Sequence, residues 1–268
     1  MPFVKVNGAK LYYEDTEDGS ETIVMTHNLM FSCRMFDDQI NALKSQYRCV
    51  AYDFRGQGRS EVTESGYDMD SLTQDAAELI KKLGCTPCHF VGFSMGGFIG
   101  IRLAARQPEL LQSLVLASTS AEAQPREIFP WHRLLNFLAR WIGLWSVASP
   151  VMRLMFSERF LTDPGMSDAR KLWRRRLLDN DPIGITRAVT GMFRREGVDD
   201  LLDRIRVPTL ITYSENDLEG IEQSSIHLHE CIDNSKLVVI PNAGHTSPVE
   251  DPGVVTRVLM EFIGNLQR

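Results

Sequence analysis

No apolar run in this chain approaches the ~20 residues a helix needs to cross a bilayer. Nor do the first residues, Met1-Pro2-Phe3-Val4-Lys5-Val6-Asn7-Gly8, hold the apolar core of an export signal; they pass straight into strand-like alternation. Positive charge is in deficit. The 29 Lys and Arg stand against 35 Asp and Glu, a net −6, which gives no electrostatic reason to bind nucleic acid or an anionic membrane. Cysteine is scarce: Cys33, Cys49, Cys85, Cys88 and Cys231 are odd in number and scattered, as free thiols are and a disulfide framework is not. Cys85-Thr86-Pro87-Cys88 has the spacing of a metal or redox pair, but no second Cys or His pair is placed to complete a zinc site. A redox pair opens a helix, whereas this one precedes a strand, so both cysteines are expected to pack. Internal repeats, low-complexity stretches and flexible linkers are missing too. These absences point to a cytoplasmic protein with reduced thiols, no bound metal and no membrane or nucleic-acid partner.

What is present is a 268-residue chain, 43% hydrophobic and 24% charged, ample for one large core. Two alternating runs, Phe3-Val4-Lys5-Val6 and 9–14, are joined by Asn7-Gly8, the strongest short hairpin signal. Strand-like runs follow at 22–27, 47–53, 88–91, 113–118, 209–214 and 236–240, separated by helical patterns at 34–45, 70–83, 98–106, 222–231 and 254–266. Asp70 or Ser71 is the expected cap of the second helix. Strands alternating with helices imply an α/β fold: a mostly parallel eight-stranded sheet with helices on both faces, begun by an antiparallel hairpin. The alternation stops after the sixth strand. Residues 121–198 hold no clear strand but four helical patterns (130–144, 146–156, 167–180, 183–196) and all four tryptophans, Trp131, Trp141, Trp145 and Trp173. They read as a helical cap inserted into a core of residues 1–120 and 199–268. The cap has thirteen Lys and Arg against eight Asp and Glu, a surplus of +5 that leaves −11 on the remainder. Arg174-Arg175-Arg176 and Arg194-Arg195 supply much of it, either as solvated helix faces or as partners for the acidic body and anionic ligands.

The chain is organised around Val91-Gly92-Phe93-Ser94-Met95-Gly96-Gly97-Phe98. A buried-type strand runs into it and a helix leaves it. Glycines stand two residues before and two after Ser94, where side chains would collide in a tight strand-to-helix reversal. The G-x-G-x-x-G of dinucleotide binding does not fit this register. A serine hydroxyl needs a base within hydrogen-bond reach to act as a nucleophile. Strand carboxyl ends form the ligand edge of such sheets. His245, in the loop Pro241-Asn242-Ala243-Gly244-His245-Thr246 past the last strand, can hang over that edge. His27 ends a strand on the same edge and competes. His89 is at the wrong end of its strand, His132 lies in the cap, and His227 and His229 lie on a late helix. The imidazole in turn needs a carboxylate. Glu215 and Asp217 both follow the 209–214 strand; Asp217, three residues past its terminal Ser214, is favoured.

Ser94, Asp217 and His245 then stand in the order nucleophile, acid, base, and the chain resembles the α/β-hydrolase superfamily along almost its whole length. It is most similar to the capped group that holds enol-lactonases, carboxylesterases and the non-haem haloperoxidases. The resemblance rests on His27-Asn28-Leu29-Met30, Asp53-Phe54-Arg55-Gly56-Gln57-Gly58-Arg59-Ser60, the elbow, Pro208-Thr209-Leu210 with Asp217, and Gly244-His245. It implies an oxyanion hole formed by the N–H groups of Met95 and Leu29. It makes the Asp53 segment a structural turn beside the site. Asn28 departs from the glycine usual in the family. Asn tolerates positive φ, so the loop can keep its shape, and its amide becomes a substrate contact or a partner within the loop. Cys33 extends the same loop, as a packing residue or a pocket wall. Asn28, Met30, Trp131 and Phe129 are the expected substrate contacts.

A serine at the elbow implies acyl transfer with neither metal nor organic cofactor, and excludes the carboxylate nucleophile of dehalogenases and epoxide hydrolases of this fold. The resemblance implies a small-molecule ester or lactone substrate. Thioester, amide and activated carbon–carbon bonds are also open. Phe129, Trp131, Phe137, Met152, Met155, Phe156, Met192 and Phe193 enrich the cap in apolar surface, which suits a medium or bulky apolar group. A cofactor-free perhydrolase and a slow ligand receptor of the same fold are the alternatives. A monomer or homodimer is expected.

Overall fold

Asn7 (φ 42°) and Gly8 (φ 77°) both take left-handed backbone, the geometry of a tight hairpin turn, and fold β1 (Phe3–Val6) against β2 (Ala9–Asp15). The computed structural model describes residues 2–124 and 129–266. Six more strands follow: β3 (Thr22–Thr26), β4 (Arg48–Tyr52), β5 (Cys88–Phe93), β6 (Leu111–Ala117), β7 (Thr209–Ser214) and β8 (Ser235–Ile240). They form one eight-stranded sheet in the order β1-β2-β4-β3-β5-β6-β7-β8. The β1–β2 and β2–β4 pairs are antiparallel and the pairs from β4 to β8 are parallel. Every residue of β3 and β5 is buried, which is why these strands read as continuous apolar runs.

The two faces of the sheet are covered by different helices. Val91, Val115 and Ala117 face α11 (Pro252–Leu266) through Val255, Val258 and Leu259, and α11 packs against α1 (Asp37–Leu43). On the opposite face, Phe90 and Leu114 approach Gly100 of α3 (Met95–Arg106), which packs against α2 (Met69–Lys82). Two expectations shift at these helices. Residues Cys33–Phe36 form a 3₁₀ turn before α1. The cap of α2 is Asp68, whose carboxylate accepts the Ser71 N–H at 2.8 Å; Asp70 is drawn away by Arg102 (3.1 Å) and Arg106 (2.7 Å). Cys85 and Cys88 are buried free thiols, as their position before a strand suggested.

Among the described residues of the 121–198 segment lie five α-helices, one more than the sequence pattern showed there: α4 (Phe129–Trp141), α5 (Ala148–Met155), α6 (Glu158–Thr162), α7 (Ser167–Leu178) and α8 (Pro182–Phe193). Residues 125–128, part of the expected cap, lie outside the described residues. Trp173 is buried, while Trp131, Trp141 and Trp145 are exposed. The arginine runs divide. Arg174 and Arg175 are solvated, but Arg176 lies over the Trp173 ring and bonds Asp37 Oδ2 at 3.0 Å, tying cap to body. Asn180 adds a second tie, its amide donating to the Met30 carbonyl at 3.0 Å and accepting the Gly58 N–H at 2.8 Å. Helices α9 (Ile221–Cys231), against β7 and β8, and α10 (Ser247–Glu250) complete the chain. Among the described residues no helix is long and apolar enough to cross a membrane.

Candidate active site

Ser94 takes φ 51°, ψ −106°, a strained conformation for a residue with a side chain, at the junction of β5 and α3. Its neighbours show what holds the strain in place. A Cβ on Gly92 would stand 2.5 Å from Gly96 O, and one on Gly96 would stand 2.3 Å from Thr26 Oγ1. The missing side chains let strand, helix and β3 close around the turn. The hydroxyl is thereby presented at the head of α3, where the helix dipole favours negative charge.

Ser94 Oγ lies 2.9 Å from His245 Nε2, and His245 Nδ1 lies 2.6 Å from Asp217 Oδ1. His245 and Asp217 are both buried, their side chains 2% and 3% exposed. Burial pushes the Asp217 carboxyl up, but the charge and hydrogen bond of His245, with the Ser118 hydroxyl and the Leu218 N–H, outweigh it and hold the acid below its ordinary value. An ionised Asp217 accepts the Nδ1 proton, which leaves Nε2 free to accept from Ser94. Asp217 Oδ2 also takes the Ser118 hydroxyl at 2.6 Å and the Ser214 N–H at 3.1 Å. Glu215 goes elsewhere: its carboxylate accepts the Asn242 N–H at 2.9 Å and braces the front of the histidine loop.

The other histidine on this edge is committed to structure. His27 is fully buried, accepts the Phe54 N–H at Nε2 (3.1 Å) and donates from Nδ1 to Asn28 O (2.6 Å). Burial lowers its pKa, and with both ring nitrogens occupied it has no lone pair for Ser94.

The loop after His27 differs from expectation at Asn28. That side chain is fully buried and absent from the cavity wall; its amide nitrogen lies 3.9 Å from Met155 Sδ. It meets the cap at Met155 and does not line the cavity. The left-handed turn falls on Met30 (φ 73°), not on Asn28, because Met30 is clamped from two sides. Its N–H donates to Gln57 Oε1 at 2.7 Å, and its carbonyl accepts from Asn180. Among the described residues no acceptor takes the Leu29 N–H. The Met95 N–H opens α3, where the first amides lack intrahelical acceptors. Cys33 is buried outside the cavity, its N–H on Asp53 Oδ1 at 2.7 Å; the other Asp53 oxygen takes the Arg59 N–H at 2.8 Å.

Ser94 and His245 open into a cavity of about 760 Å³ beneath the cap. Leu29, Met30, Trp131, Met155, Met192 and Phe193 are among its walls. Phe129 is not. It packs edge-on against Phe193 and lines an adjoining groove of about 1270 Å³, which shares Phe193 and Arg195 with the cavity but reaches neither Ser94 nor His245. Phe137 faces the same groove, while Met152 and Phe156 are buried in the core. Helical periodicity gives the faces of α4 but not which one turns toward the sheet.

Two supports carried no sequence signal, and a third, Gln57, lay without a named partner in the Asp53–Ser60 turn. Ser118 lies just past β6, beside β7, and reaches Asp217 only through sheet pairing. Gln57 holds the Leu29–Met30 turn. Glu250, buried in α10, accepts the Gly244 N–H (3.1 Å), the Ser157 N–H and the Ser157 hydroxyl, fixing the histidine loop to the cap. A Cβ on Gly244 would meet Ser157 N at 2.4 Å, so that loop position requires glycine.

A family model described as the alpha/beta hydrolase fold matches residues 22–252. A proposed carbamate hydrolase, RutD, of Stutzerimonas stutzeri (strain A1501) is 27% identical over 254 residues, covering 92% of this chain and 93% of that protein. Among solved structures, the enol-lactonase of Burkholderia xenovorans LB400 is similar with a TM-score of 0.90 and 25% identity, over 98% of this chain and 100% of that one. A thermophilic esterase of Thermogutta terrifontis gives a TM-score of 0.92 and 26% identity over the whole of both chains.

Proposed function

The chain belongs to the α/β-hydrolase fold family, and from that premise we propose that it is a serine hydrolase acting on carboxylic esters or lactones through an acyl-enzyme. The observation that carries the reading is the continuous chain Ser94 Oγ, His245 Nε2, His245 Nδ1, Asp217 Oδ1, with links of 2.9 and 2.6 Å, opening into an apolar cavity. Ser94 Oγ attacks the carbonyl carbon as its proton passes to His245 Nε2. Asp217 stabilises the resulting imidazolium. The carbonyl oxygen, now negative, is received by the N–H groups of Leu29 and Met95 and by the α3 dipole. His245 returns the proton to the leaving oxygen, and the same histidine then activates water to release the acid and free Ser94. The apolar walls favour a medium or bulky apolar group.

Steady-state turnover of p-nitrophenyl esters, lactones and a matched carbamate tests this. Multiple turnovers on ester or lactone, lost by about 10⁶-fold in Ser94→Ala, are expected. A single burst without turnover is the behaviour of a receptor, and preference for the carbamate moves the substrate class. Full activity in Ser94→Ala overturns the assignment.

A further inference from the structure

Arg195 is a cation the mechanism above does not use. It follows α8 and forms part of the wall of the cavity that holds Ser94. Among the described residues no carboxylate lies within ion-pairing distance of its guanidinium. Its partners are neutral. Nη1 donates to Gln124 Oε1 at 2.5 Å and to the Met192 carbonyl at 3.4 Å, Nη2 reaches Ser120 Oγ at 3.5 Å, and Nε is sealed from solvent with no acceptor. The guanidinium carbon stands 4.1 Å over the Phe98 ring. Burial and the neighbouring charge of Arg102 lower its pKa to about 10, against the pull of Glu122. This half-buried guanidinium has only neutral hydrogen-bond partners, and arginine's planar fork matches a carboxylate in two parallel hydrogen bonds.

The cavity's other charged walls leave that role to Arg195. Glu122 accepts the Ser224 hydroxyl and Glu219 is exposed. Phe98 lies one turn beyond Ser94 on α3, about 6 Å along the helix axis. A substrate chain of a few carbons spans that distance beneath the apolar cap.

We propose that Arg195 binds a carboxylate carried by the substrate, so that the cavity selects esters or lactones with an apolar chain ending in a free acid. This rests on Ser94 being the nucleophile. It also gives the Arg194-Arg195 pair a use beyond a solvated helix face, since Arg195 is half-buried at the cavity wall while Arg194 is exposed.

Two substrate pairs test the assignment, one for each side of the scissile bond. The first is mono-p-nitrophenyl glutarate against its methyl ester. The second is 4-butyryloxybenzoate against its methyl ester. The wild-type protein is expected to show kcat/KM at least tenfold higher for the free acid in one pair, with the difference mostly in KM. Arg195→Met is expected to bring that ratio to within twofold of one, and Arg195→Lys to restore part of it. Wild-type preference for the methyl ester in both pairs overturns the proposal without any variant. An equal loss on both members of a pair in Arg195→Met assigns the residue to cap packing and overturns it too. Should that variant not fold, the wild-type ratios and competitive inhibition by free glutarate against the neutral ester still decide. Absence of turnover on all four compounds, with Ser94→Ala indistinguishable from wild type, is instead the failure of the hydrolase reading.

Discussion

Replacing Asp217 by Asn keeps the shape of the side chain and removes its charge. That charge sits 2.6 Å from His245 Nδ1 in a side chain only 3% exposed. Opposite charges about 4 Å apart attract by about 4 kcal/mol at an effective dielectric of about 20. Losing that attraction slows formation of the imidazolium by about 10³-fold, since about 1.4 kcal/mol is tenfold in rate. The amide adds a tautomer cost. With its oxygen toward the Ser118 hydroxyl and the Ser214 N–H, it presents NH₂ to Nδ1, and the ring must then hold its proton at Nε2, facing Ser94. Turned the other way, NH₂ meets the Ser214 N–H and leaves that donor unsatisfied. The expected loss is about 10⁴-fold in kcat with little change in KM. Initial rates on p-nitrophenyl butyrate measure it, with circular dichroism as the folding control. Glu215→Gln is the matched comparison. Glu215 bonds the Asn242 N–H and neither Ser94 nor His245, so it should lose less than about tenfold. If Glu215→Gln is the more damaging, or Asp217→Asn stays within tenfold of wild type, the reasoning is refuted.

Two supports give further tests. Gln57→Leu strips the acceptor from the buried Met30 N–H, a cost of about 1–3 kcal/mol, and loosens the turn that presents Leu29. Thermal unfolding should shift down and kcat should fall further than KM changes; an unchanged melting temperature contradicts the clamp. Glu250 has a carboxyl raised by burial from an ordinary value of 4.5, with the Ser157 and Gly244 donors only partly opposing. An acid raised in the folded state binds its proton more tightly folded than unfolded. Its contribution to stability is therefore greatest below 4.5 and is lost as pH rises from there through the raised value. Glu250→Gln should flatten that fall in melting temperature against pH, and a slope of unchanged sign and size in the variant rejects it.

How much of this was legible in the sequence depended on whether the physics was local. The elbow was legible because its strain demands glycine at Gly92 and Gly96, and both clashes occur within a few residues or against the adjacent strand. The sheet was legible because a buried parallel strand is apolar throughout, and strand ends then put Asp217 and His245 on the same edge as Ser94. The cap was legible as helices but not as a docked body. Its placement rests on contacts between residues far apart in the chain, Arg176 with Asp37 and Asn180 with Met30, and periodicity carries no information on such pairs. That is why Phe129 was expected in the cavity and lies in the outer groove, and why Asn28, expected as a substrate contact or a partner within the loop, stands off the cavity wall against Met155. The left-handed Met30 runs against residue preference and is held by Gln57 and Asn180, a tertiary override of a local rule.

A fluorophosphonate tests the central claim most directly, because its phosphorus mimics the tetrahedral centre and fluoride leaves as the nucleophile bonds to it. The account predicts one equivalent of label on the peptide containing Ser94, loss of ester turnover in proportion to labelling, and no label in Ser94→Ala. Label on another residue, or full turnover by protein labelled to completion at Ser94, would contradict it.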